Sequence, residues 1–181
     1  MPILDSTFFD RPTVEVAREL VGCHLVRRMN GQTRRLIISE TEAYDGPDDL
    51  ACHASKGRTQ RTEIMFGPAG YIYIYLVYGM YWMLNIVTGP TDYPAAVLIR
   101  GAGEFSGPGK LTKHLKITGE LNRMKLSDKT GLWIEKSSFI VPENQILETP
   151  RIGVDYAGPI WGKKEWRFVL RQNSSNSAQE L

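Results

Sequence analysis

The stretch Tyr71-Ile72-Tyr73-Ile74-Tyr75-Leu76-Val77-Tyr78-Gly79-Met80-Tyr81-Trp82-Met83-Leu84-Asn85 decides the fold. From Tyr71 to Leu76 bulky apolar and aromatic residues alternate strictly, the pattern of a strand whose successive side chains point to opposite faces. Tyr71, Tyr73 and Tyr75 share one face, and Ile72, Ile74 and Leu76 the other. Gly79 permits a tight reversal, so Met80 to Val87 is predicted as the returning strand, with Tyr78 at the turn and Asn85 well inside. Two readings of the tyrosine face stand side by side. It is either ordinary sheet core, where aromatics are favoured, or a platform on which a flat ligand such as a nucleobase stacks.

Working outward from that hairpin, the N-terminal side reads as helix, then a second hairpin. Asp10 is the expected N-cap, Pro12 lies in the first turn, and Val14, Ala17, Leu20 and Val21 form an apolar stripe stopped by Gly22. Cys23 to Arg28 and Thr33 to Ala43 are predicted strands joined at Asn30-Gly31, the strongest short hairpin signal. The second of these runs through Leu36-Ile37-Ile38 into Ser39-Glu40-Thr41-Glu42-Ala43-Tyr44, and alternation puts Glu40, Glu42 and Tyr44 on one face. Two carboxylates and a phenol at the end of an apolar strand form either a site or a strand end emerging into water. Asp45 to Arg61, rich in turn residues and containing His53, is expected to be a surface loop.

Downstream, Ala95 to Arg100 is a short buried strand ending in an arginine. The glycine-rich Gly101–Gly109 segment leads into a helix over Lys110–Ile117 with Leu111, Leu115 and Ile117 inward. Gly107-Pro108-Gly109-Lys110-Leu111 lacks P-loop spacing, yet a helix start beside Lys110 suits a single phosphate. Leu132-Trp133-Ile134 and Trp166-Arg167-Phe168-Val169-Leu170 are expected as late strands, with Pro150–Val154 a turn-bounded piece between. Many short strands joined by hairpin signals predict a single α+β domain with a curved, largely antiparallel sheet and flanking helices. That domain is expected to span residues 1–173, with 174–181 a flexible tail.

Composition narrows the function classes. The chain has 181 residues, 42% hydrophobic and 23% charged, as in an ordinary globular domain with one core. The net charge of +2 is uninformative, but its distribution is not. Leu36 to Leu50 carries five acids and no Lys or Arg, while Ala51 to Thr118 is basic. That pairing fits a phosphate-contacting surface around a carboxylate site, or a solvated surface with uneven charge. No apolar run is long enough to span a membrane. Cys23 and Cys52 are too few for a disulfide framework. Each precedes a histidine, but adjacent strand residues point opposite ways and no Cys-x-x-Cys spacing exists, which argues against zinc. No metal or organic cofactor is expected.

Taken in order, a set of short motifs resembles the alkyladenine (3-methyladenine) DNA glycosylase family. They include Phe8-Phe9-Asp10, Thr41-Glu42-Ala43-Tyr44, Gly46-Pro47, His53, Met65-Phe66, Tyr73-x-Tyr75, Tyr78-Gly79-Met80-Tyr81, Asn85, Arg100, Gly107 to Leu111, Arg151-Ile152-Gly153 and Trp166-Arg167-Phe168. Each is weak alone, but the ordered set covers nearly the whole chain. The resemblance implies extrusion of a damaged purine from duplex DNA and hydrolysis of its bond to deoxyribose. It assigns Glu42 as the base that activates water, and Arg100 as the residue helping to hold that water. Tyr44, His53 and Tyr75 would enclose the flipped base, Asn85 would disfavour guanine, and Tyr78 would be the wedge filling the gap. Gly107, Gly109 and Lys110 would hold a backbone phosphate.

No lysine nucleophile is implied, so no strand-cleaving step is expected. Gln60 stands where a proline is common in the family, and the long N-terminal extension of the mammalian members does not precede these motifs. The likeness is therefore to a compact bacterial-type, cytoplasmic, monomeric enzyme. Two other classes compete. A non-catalytic nucleic-acid-binding module would use the tyrosines as stacking platforms but leaves Glu42 and Arg100 without work. A free-nucleoside hydrolase would use Glu42 but leaves Tyr78 without work.

Overall fold

A computed structural model describes residues 1–138 and 141–171. The expected 174–181 tail lies outside them. In chain order the elements are helices α1 (Ser6–Phe9) and α2 (Thr13–Leu20), strands β1 (His24–Met29), β2 (Gln32–Asp45), β3 (Ile72–Val77), β4 (Tyr81–Val87), β5 (Ala95–Ala102) and β6 (Phe105–Ser106), helix α3 (Pro108–His114), strands β7 (Leu132–Glu135) and β8 (Ile146–Thr149), helix α4 (Gly158–Trp161) and strand β9 (Arg167–Leu170). The strands form one sheet in the order β3-β4-β5-β2-β1-β7, with β6 beside β5 and β9 beside β2 and β8. Every pairing is antiparallel, as the hairpin signals predict.

The fourteen-residue β2 organises the sheet. Its first half pairs with β1 through a turn in which Asn30 and Gly31 both take positive φ (51° and 73°), the geometry that matches strand twist and favours Asn-Gly. Its second half lies between β5 and β9. The β2–β5 register slips on either side of Glu40, opposite Arg100 and Gly101. Such bulges bend a strand and re-aim its side chains. Gly101 fits here because a Cβ would sit 3.0 Å from the Ser39 Oγ and 3.2 Å from the Phe105 carbonyl.

The N-terminal helix differs from the sequence expectation. Asp10 does not cap α2; it closes α1, its N–H donating to the Ser6 carbonyl, while Asp5 caps α1 and Pro12 starts α2. A residue before proline is pushed out of the helical region, which explains the break into two helices. The stripe of α2 that is buried is Thr13, Val16, Ala17 and Leu20, the i, i+3, i+4, i+7 face. It packs with Phe9, Ile38, Ile72, Ile86, Ile99 and Phe168 in the main core. A smaller cluster of Cys52, Ala54, Met65, Tyr73, Val87 and Ala96 also covers the sheet. β5 therefore contributes to both, which is why Ala95 to Ile99 reads as an unbroken apolar run. Leu76 departs from the expected inward face: it is 39% exposed near the hairpin tip.

Candidate functional site

Register assembles the site. In β3 and β4, Tyr73 lies opposite Asn85; Asn85 lies opposite Leu98 of β5; Leu98 lies opposite Glu42 of β2. Directly paired residues share a face, so Glu42, Leu98, Asn85 and Tyr73 form one row across four strands. The neighbouring core row is Ile72, Ile86, Val97 and Ala43, pointing the other way. Glu42 and Asn85 are thus two strand spacings apart, roughly 10 Å.

Above this row opens a cavity of about 370 Å³. Tyr44, His53, Tyr75, Asn85 and Arg100 line it, and Tyr78 stands at its rim. The predicted base-enclosing residues therefore converge, although 41 residues of sequence separate Tyr44 from Asn85 at its extremes. The His53 ring meets Tyr75 edge-on at 4.6 Å, and Tyr73 and Tyr75 lie 5.3 Å apart. His53 Nδ1 is 3.0 Å from the Tyr73 hydroxyl. Burial, aided by nearby Arg61, pushes the His53 pKa down to about 4, so the imidazole is neutral at pH 7. Burial also raises Tyr75 and Tyr44, keeping both phenols protonated.

Asn85 is buried and donates through Nδ2 to the carbonyls of Tyr73 and Met83, both at 3.2 Å. Its side chain is thereby fixed at the cavity wall.

Glu42 is wholly buried, and both of its carboxylate oxygens accept hydrogen bonds. Its Oε1 accepts the Ile152 N–H at 2.8 Å, and its Oε2 accepts the Tyr44 hydroxyl at 2.8 Å. Arg100 Nη1 reaches the same Oε2 at 3.4 Å, the loosest of the three. Tyr44, Arg100 and Ile152 all line the cavity, so the carboxylate sits directly behind its wall. Glu40 behaves differently. Its Oε1 accepts Arg100 Nε at 2.9 Å and Arg167 Nε at 2.6 Å, a carboxylate clamped between two guanidiniums. Arg100 faces both acids; burial opposes its charge, but Glu42 and Glu40 outweigh that and raise its pKa.

The loop from Asp45 to Arg61 is not a plain surface loop. Asp49, Ala51, Cys52 and Ala54 are buried, and a 3₁₀ turn over His53–Lys56 carries His53 to the cavity. The cause is Asp49, whose carboxylate accepts the N–H groups of Asp45 and Ala51 and pairs with Arg151.

On the rim, Tyr78 is 86% exposed and takes φ of +52°, with Gly79 at +70°. Met80 N–H closes the turn on the Val77 carbonyl at 3.1 Å. Positive φ at both central positions marks the hairpin turn that suits strand twist, and a tyrosine there is strained. The Gly107–Lys110 segment docks beside this hairpin. A Cβ on Gly109 would lie 2.7 Å from the Tyr81 ring, and Gly107 has φ of +99°. Gly107 and Gly109 are thus explained by geometry, Pro108 lines the cavity, and Lys110 is exposed. Three further contributors carried no side-chain pattern pointing here. Arg61 lies 4.9 Å over the Tyr75 ring, the Ile152 N–H is backbone, and Tyr156 is anchored by its hydroxyl on the Ala51 carbonyl.

Among the described residues no group of three His, Cys, Asp or Glu could hold a metal, and no helix is long and apolar enough to cross a membrane.

Comparison with known proteins matches the chain to the family described as Methylpurine-DNA glycosylase (MPG), over residues 7–106 and 103–174. Similar proteins, each named "Putative 3-methyladenine DNA glycosylase", come from several prokaryotes. The one from Methanocella arvoryzae is 46% identical, the match covering 93% of this chain and 92% of that protein. The one from Myxococcus xanthus is 45% identical over 94% and 91%. A Legionella pneumophila protein is 42% identical over 94% and 95%.

Proposed function

The chain belongs to the methylpurine-DNA glycosylase family, and we propose that it flips alkylated or deaminated purines out of duplex DNA and hydrolyses their N-glycosidic bonds with a water activated by Glu42. The carrying observation is the row that puts the Glu42 carboxylate behind one wall of an aromatic cavity and Asn85 in another, roughly 10 Å away. That span accommodates a purine whose sugar C1′ approaches Glu42 while its far edge approaches Asn85. Tyr44, His53 and Tyr75 supply electron-rich ring surface for it, suited to a cationic base such as 3-methyladenine. A neutral His53 adds no repulsion.

In the reaction the water oxygen bonds to C1′, the bond from C1′ to the purine nitrogen breaks, and its electron pair leaves with the base. Glu42 takes the proton from water. Its negative charge also stabilises the oxocarbenium-like sugar. The water enters at the 3.4 Å contact to Arg100, the weakest of the three holding Glu42. Tyr44 donates to Glu42 and keeps it oriented as an acceptor.

Tyr78 enters the duplex and fills the space left by the flipped base. Lys110, with the Gly107–Gly109 backbone, takes a phosphate beside it. Asn85 crowds the exocyclic amine of guanine and so protects normal guanine. Among the described residues no lysine lines the cavity, which supports a monofunctional enzyme leaving an intact abasic site. It works as a monomer in the cytoplasm, where the chromosome is. The test is a duplex oligonucleotide carrying one hypoxanthine or ethenoadenine. Release of free base is expected; tight binding without release would make the chain a binding module, and activity only on free nucleosides would make it a nucleosidase.

A further inference from the structure

Behind the cavity wall lies an ion pair to which the proposed reaction assigns no role. Arg151 and Asp49 have side chains with no exposed surface. Arg151 Nη1 donates to Asp49 Oδ2 and to the Ala43 carbonyl, at 2.5 and 2.9 Å. Its Nη2 donates to Asp49 Oδ1 at 2.9 Å and to the Trp161 carbonyl at 3.0 Å. The guanidinium lies 4.9 Å from the Tyr44 ring and 5.2 Å from the Trp166 ring. Its Nε is buried without a hydrogen-bond partner.

This arrangement is expensive as a source of stability. A buried ion pair roughly breaks even against well-packed apolar residues, and an orphaned buried donor adds cost. What it does accomplish is positional. Ala43 follows Glu42 in the chain, and Ile152, whose N–H bonds Glu42, follows Arg151. Asp49 holds Asp45 and Ala51, and Ala51 anchors Tyr156. Tyr44, Ala51 and Ile152 of the cavity lining therefore each lie one or two residues from the pair or from an atom that it bonds.

Resting on the glycosylase reading, we propose that the Arg151–Asp49 pair is a positioning device for Glu42, fixing the Ile152 N–H on Oε1 so that the carboxylate stays aimed at the sugar. The charged and titratable groups around Glu42 are Tyr44 on its own strand, Arg100 on β5, Arg167 on β9 through Glu40, Tyr75 on β3, and this pair. Arg100 and Tyr44 hold Oε2; the backbone donor on Oε1 is the contact that the pair sets.

The experiment compares single-turnover excision of ethenoadenine across pH 5–8, and binding to an abasic-site duplex, in the wild type and two variants. Arg151→Met with Asp49→Asn removes both charges together, so neither is left buried alone. Arg151→Lys keeps the charge but cannot span the Ala43 and Trp161 carbonyls. Both are expected to melt cooperatively and bind the abasic duplex within about threefold of wild type. Their pH–rate profiles should move about one unit toward higher pH on the acid side, so that at a given pH on that falling limb excision is down about tenfold, because a lost hydrogen bond to an ionised group is worth that much. A folded variant with the wild-type profile and rate overturns the positioning role, as does lost binding with an unmoved profile. Absence of excision by the wild type itself would instead sink the glycosylase reading.

Discussion

Two carboxylates share the sequence pattern of β2, and their surroundings separate them. Glu40 is neutralised between Arg100 and Arg167, whereas Glu42 keeps its oxygens on a phenol, a backbone N–H and one loose guanidinium contact. Glu42→Gln should lower excision from a hypoxanthine duplex by at least about 100-fold, the usual share of a general base, with binding retained. Glu40→Gln should act mainly through stability; if it abolished excision and Glu42→Gln did not, the assignment would be reversed. His53 provides a pH signature. Its folded pKa is about 4, below an unfolded value near 6.5. The stability of the neutral ring is fully present above about 6.5 and is lost as pH falls through about 4. Denaturant melts at pH 7 and pH 4 should show the wild type losing about 2 kcal/mol that His53→Gln does not lose, allowing for partial exposure of the ring. Equal losses in both proteins would place the acid sensitivity elsewhere.

At the scale of elements, the β3–β4 hairpin serves two ends. Its stem contributes Tyr73, Tyr75 and Asn85 to the cavity, and its tip holds Tyr78 outward in a left-handed conformation. A bulky residue kept at positive φ costs about 1 kcal/mol or more, which suits a residue retained for contact with a partner. Tyr78→Gly should therefore be at least as stable as the wild type, by up to about 1 kcal/mol, while affinity for damaged duplex falls about tenfold, the value of one stacking contact. Calorimetry and fluorescence anisotropy separate the two effects. A destabilised protein with unchanged affinity would make Tyr78 a structural residue. The turn and α3 start beside it depend on Gly109, because any side chain there meets Tyr81.

For the whole molecule, the charge distribution sets how the duplex is met. If the basic middle segment makes the proposed phosphate contacts, binding should weaken steeply as salt rises. Lys110→Ala should reduce the slope of log affinity against log salt by about one and weaken damaged and undamaged duplex alike. A change confined to damaged DNA would move Lys110 from the phosphate to the base. Borohydride should trap no protein–DNA adduct, since no lysine among the described residues lines the cavity.

Much of this was legible in one dimension. Period-two alternation located β3, the reversal at Gly79 placed β4 after it, Asn30-Gly31 set the first hairpin, and the ordered motifs grouped Glu42, Tyr44, His53, Tyr75, Asn85 and Arg100. These signals are local or depend on residue type, and type persists in a linear string. The sequence could not say that the Asp45–Arg61 loop is pinned inward, because its anchor Arg151 is 102 residues away from Asp49. Nor could alternation separate Glu40 from Glu42, which share a face; the bulge and the arginines of two other strands do that. The third hydrogen bond to Glu42 comes from a backbone N–H, which every residue but proline carries and no sequence pattern marks. Residue types and periodicity determined the strands and the chemistry available to them. Register and long-range ion pairing, which exist only once the chain has closed on itself, decided what surrounds each of the two carboxylates and set Glu42 behind the cavity wall.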